Sequence, residues 1–96
     1  MHINEFQKLM NQLYFSRDSE RGKEKTLDWL EDEVEELREA LNERDMKAIE
    51  KEFADVLAWL ASLANIVNID LEKAALSKYD NRCPKCGRNP CECPLQ

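Results

Sequence analysis

The first proline of this chain is Pro84, and Gly22 is the one glycine before it, so a long stretch runs almost without the residues that break helices. That stretch is rich in Glu, Lys, Leu and Ala, which favour helix. Apolar residues recur through it at three- and four-residue intervals, the period of an amphipathic helix. Ile3, Phe6, Leu9, Met10, Leu13 and Tyr14 predict a first helix over about 2–16. The polar, glycine-containing run SRDSERGKEK at 16–25 reads as a loop. Thr26 is a candidate N-cap for a second helix to about Asn42, and Asp45 for a third from Met46 to about Val67. Asn68 can end that helix, and Asp70 can cap a fourth running to about Asn81. The expected fold is all-α, a bundle of about four helices over 1–82 with a cysteine-rich metal-binding tail at 83–96.

Composition narrows the functional classes. Twenty acidic against fourteen basic residues give a net charge of −6, the wrong sign for a nucleic-acid surface. No apolar run is long enough to span a bilayer, and the N-terminus lacks the basic and apolar regions of a signal peptide. The expectation is a cytoplasmic protein with no membrane or nucleic-acid partner.

The second helix carries an apolar row, Leu27, Leu30, Val34, Leu37 and Leu41, with Trp29, Glu33, Glu36 and Ala40 as a second row beside it. A Glu-x-x-Glu pair alone usually marks a solvated helix face. The third helix changes that reading. Its run FADVLAWLASLA is apolar nearly all round, which predicts burial on more than one side. Ile49, Val56, Trp59, Leu63 and Ile66 form its main face, with Glu52 in the middle and Asp55 alongside. An ionised carboxylate in such surroundings is costly unless a cation pairs with it. A short connection makes these two helices antiparallel, so four carboxylates converge from two rods. Oxygen-only ligands suit magnesium or manganese, the ions of phosphoryl chemistry. The competing explanation is an ion cluster with Lys or Arg.

Asp32-Glu33-x-x-Glu36, then fifteen residues, then Glu52-x-x-Asp55, resembles the EExxE…ExxD pattern of MazG-like nucleotide pyrophosphohydrolases. The resemblance covers about residues 14–82, through TLDWLEDEVEELREAL and EKEFADVLAWLASLANIVNIDLEKAALSKYDNR. It is stronger than that to phosphoribosyl-ATP pyrophosphohydrolases or dimeric dUTP hydrolases. It implies an all-α oligomer that cleaves nucleoside triphosphates between the α and β phosphates, using magnesium. It also implies Glu33, Glu36, Glu52 and Asp55 as metal ligands, and Lys78 and Arg82 as phosphate contacts. Asp32 stands where the family usually has Glu, and is the candidate to orient or deprotonate the attacking water. Glu35 replaces a small residue, often Gly, and reads as a solvated charge.

Other residues have plainer alternatives. Trp29 could stack on a base or serve as packing. Arg17 and Arg21 could reach phosphates or be solvated loop charges. Phe53, Leu57, Leu60 and Ala64 are more apolar surface than one small chain can cover, which predicts a homodimer, or the dimer of dimers the family suggests. Cys83, Cys86, Cys91 and Cys93 suit a structural zinc site, with an iron–sulfur centre or free thiols as alternatives. The rival to an enzyme is a non-catalytic helical assembly module with a zinc clip.

Overall fold

A computed structural model describes residues 1–95, and they form four helices: α1 (Ile3–Arg21), α2 (Lys23–Glu43), α3 (Met46–Ile66) and α4 (Leu71–Lys78). α3 is the central element, packed against both α2 and α1, while α4 leans on α1. Among the described residues no single helix is long and apolar enough to cross a membrane.

The expected loop at 16–25 is helix instead, and Gly22 alone breaks it. Polar side chains prefer water but do not by themselves unwind a helix; a backbone that needs positive φ does. Gly22 adopts φ 89° and ψ 163°, a region closed to other residues. Its N–H donates to the Asp18 carbonyl at 2.9 Å and ends α1. Its carbonyl accepts from the Thr26 N–H at 3.1 Å and from Thr26 Oγ1 at 2.8 Å. Thr26 is therefore not an N-cap but a fully buried residue in the first turn of α2.

Arg44 closes α2 in the left-handed conformation, and Asp45 opens α3 by accepting from the N–H groups of Lys47 and Ala48. Asn68 is left-handed just after α3, and Asp70 caps α4 through the Lys73 N–H. α4 stops at Lys78 rather than Asn81. Tyr79 leaves helical geometry and Asn81 is left-handed, which places Arg82 beyond the helix.

One polar staple fixes α1 to the α3–α4 corner. Gln7 donates to Asn65 Oδ1 and the Ile69 carbonyl, and accepts from the Leu71 N–H. Asn65 Nδ2 returns a bond to the Gln7 carbonyl, so the side chain of buried Gln7 is satisfied by its half-buried partner and the chain beyond it.

The inner face of α2 differs from the expected row. Thr26, Leu30, Glu33, Leu37 and Ala40 turn inward, at alternating steps of four and three, while Leu27, Val34 and Leu41 are exposed. Glu33 thus lies in the packed row itself. On α3, Phe53, Leu57 and Leu60 face outward, as expected of apolar surface that one chain cannot cover, whereas Ala64 is buried.

Candidate active site

Two contacts show that α2 and α3 run antiparallel. Glu33 and Glu36 meet Glu52, and one turn before Glu33 on α2, Trp29 meets Trp59, two turns after Glu52 on α3. Three of the four expected ligands converge there. Glu33, Glu36 and Glu52 each offer an oxygen within 4.8 Å of the others. Glu33 Oε2 and Glu52 Oε2 are buried without a hydrogen-bond partner. Burial, followed by the nearby Glu52 and Glu36, pushes the Glu33 carboxyl up to about 7. Asp55, one turn beyond Glu52, is exposed and lines the neighbouring cavity rather than joining the triad. Asp32 is exposed on α2 beside Glu33.

That cavity, of 310 Å³, is lined by Tyr14, Arg17, Arg21, Asp55 and Trp59 among others, so it joins both arginines to Asp55 of α3. The arginines are helical residues of α1, not loop charges. Arg21 is held from four directions. Its Nη1 lies 2.9 Å from Asp18 Oδ1 and 3.1 Å from Thr26 Oγ1. Its guanidinium sits 5.0 Å from the Trp29 ring centre and 4.8 Å from that of Trp59. The two indoles meet edge to face at 5.1 Å. Trp29 therefore has Arg21 and Trp59 as neighbours. Asp18, only 2 % exposed, is the residue sequence reasoning missed. Its i,i+3 spacing to Arg21 was the available signal.

Lys78 and Arg82 border a different cavity, shared with Ser77, Asp80, Lys85 and the Cys83–Gly87 turn. The four cysteines form a compact cluster, with Sγ atoms 3.7 Å apart for Cys83–Cys93 and 3.9 Å for Cys86–Cys91. N–H groups of Glu92 and Arg88 hold the Cys86 thiol down to about 6, while crowding by Cys91, Cys83 and Cys86 pushes Cys93 up to about 12.

Residues 21–87 match a family model, the MazG nucleotide pyrophosphohydrolase domain. The chain belongs to the MazG family. The matched span holds the acidic triad, Asp32, Asp55, Trp29, Lys78, Arg82 and the first two cysteines; Cys91 and Cys93 lie beyond it. No curated protein matches the chain. MazG-family domains are nucleotide pyrophosphohydrolases, which agrees in kind with an acidic triad set beside a cavity edged by arginine.

Proposed function

We propose that this MazG-family chain hydrolyses nucleoside triphosphates between the α and β phosphates, releasing monophosphate and pyrophosphate, with magnesium or manganese held by Glu33, Glu36, Glu52 and Asp55. The observation that carries the reading is the pair of buried, unpartnered oxygens on Glu33 and Glu52. Such groups are expensive unless something binds them. Oxygens about 2.1 Å from a magnesium ion lie about 3 to 4 Å from one another, so the triad's spacing suits that ion. Asp55 supplies a fourth carboxylate one turn along α3, on the wall of the cavity.

Bound there, the cation would neutralise triphosphate charge and make the phosphorus a better electrophile. The chain's own residues do the rest. Arg17, exposed on the cavity wall, contacts phosphate oxygens. Arg21 is committed to Asp18 and Thr26, so its part is to brace the Trp29–Trp59 pair, with its guanidinium packed against both rings. Trp29, half exposed, can offer its free face to a base. Asp32 lies beside the triad on the open side of α2, where it orients or deprotonates water. The role of Lys78 and Arg82 in phosphate contact rests on the family resemblance, since in this chain they flank the cysteine cluster.

The uncovered apolar residues on α2 and α3 support assembly with a second copy. The activity is tested by incubating the protein with canonical and modified nucleoside triphosphates plus magnesium. Joint release of monophosphate and pyrophosphate supports the reading. Orthophosphate alone, or no product across the panel, favours a non-catalytic assembly module.

A further inference from the structure

Residues 79–95 fold back on themselves beyond α4 without the usual means of stabilising such a segment. They contain no helix or strand, and no described side chain in them is fully buried. A segment of this kind cannot offset its conformational entropy by burying apolar surface. What it has instead is four sulfurs in one cluster. Gly87, at φ 73°, closes a tight turn in which its N–H donates to the Cys83 carbonyl at 2.7 Å. The Cys83 N–H donates to the Arg88 carbonyl at 2.9 Å, completing a knuckle that points Cys83 and Cys86 the same way. The chain then returns to bring Cys91 and Cys93 onto them. The Glu92 N–H reaches Cys86 Sγ at 3.4 Å and the Cys93 N–H reaches Cys91 Sγ at 3.3 Å, contacts that favour thiolate.

The separations suit one tetrahedral ion. A disulfide needs sulfurs about 2.05 Å apart, and no pair approaches that. One ion with four bonds of about 2.3 Å sets neighbouring sulfurs about 3.8 Å apart, between the observed 3.7 and 3.9 Å. We propose that Cys83, Cys86, Cys91 and Cys93 bind a single zinc ion as a closed tetrathiolate, and that this ion folds residues 79–95 onto the end of α4. With four sulfur ligands the ion has no open position, so it is structural and separate from the acidic triad. Lys78, Arg82 and Lys85 line the adjoining cavity, and their positive charge opposes the net negative charge of such a centre.

The full-length chain, purified without added metal, should carry one zinc per chain by elemental analysis, released when a mercurial titrates the thiols. Cobalt substitution should give the absorption bands of tetrahedral thiolate coordination. A Cys91→Ser/Cys93→Ser chain should lose the zinc and expose 79–95 to protease, while its helix content holds. Unbound thiols, disulfides, or the visible absorption of iron in the untreated protein would each overturn the proposal.

Discussion

Glu33 on α2 and Glu52 on α3 bring carboxylate oxygens within 4.8 Å of each other, and each keeps its Oε2 buried with no hydrogen-bond partner. Two like charges so placed work against the helix pairing that brings them together. In the proposed function a cation bound there offsets that opposition.

The first prediction follows from that opposition. Glu52→Gln should lose at least about 100-fold in pyrophosphate release, in the range expected when a group stabilising transition-state charge is removed. The variant should stay folded and melt higher than the parent chain when magnesium is absent. Differential scanning with and without chelator checks it. Unfolding in the presence of magnesium would mean the acid is a structural partner of some other group.

A second prediction concerns pH. The Glu33 carboxyl is raised from 4.5 to about 7 in the folded chain, so the folded state holds its proton through a range where the unfolded state has lost it. The contribution to stability is fully present below about 4.5 and is lost as pH rises through about 7. In chelator, the stability of the parent chain relative to Glu33→Gln should therefore fall between pH 4.5 and 7 and level off above. Magnesium at pH 8 should restore it. Parallel stability curves for the two chains would contradict the burial of this carboxyl.

The sequence exposed the helix count, both aspartate caps and the acidic spacing, because each depends on local periodicity or on one side chain meeting its own backbone. It misread 16–25, because composition reports affinity for water and not backbone geometry. Arg21 bonds both Asp18 and Thr26 beside the indoles; its i,i+3 spacing to Asp18 is visible in the sequence, but Thr26 and the indoles join them only in three dimensions. The row on α2 was misassigned for a related reason. Leu27, Val34 and Leu41 are more apolar than Thr26, Glu33 and Ala40, yet the smaller and acidic residues are the ones that face inward. Oligomerisation would explain why a leucine-rich stripe faces outward.

Arg21 gives a third prediction. Arg21→Ala strands a carboxylate that is 2 % exposed and removes the guanidinium that packs against both tryptophans. Loss of one partner from a buried pair costs about 3–5 kcal/mol. Asp18→Asn/Arg21→Ala should recover part of that loss, because the stranded charge is gone. Denaturant melts of the single and double variants measure the difference; equal stability in both would place the Asp18 charge in water.

Gly22 gives a fourth. Its φ and ψ exclude side chains although nothing crowds the space where a Cβ would lie, so Gly22→Ala isolates backbone strain. A destabilisation of about 1–3 kcal/mol is expected, without loss of the acidic cluster. A neutral result would show that the α1–α2 junction relaxes into another geometry.

A fifth concerns assembly. Sedimentation at micromolar concentration should show a dimer or tetramer, and Leu57→Glu, which places a charge on exposed apolar surface, should shift it toward monomer. A parent chain that sediments at 11.3 kDa would confine the active site to one chain.

The most direct test is hydrolysis of a nucleoside triphosphate in oxygen-18 water with magnesium, followed by mass analysis of both products. Attack by water on the α-phosphorus predicts one heavy oxygen in the monophosphate and none in the pyrophosphate. Label in pyrophosphate or in free orthophosphate, or no turnover by folded protein, would contradict the account.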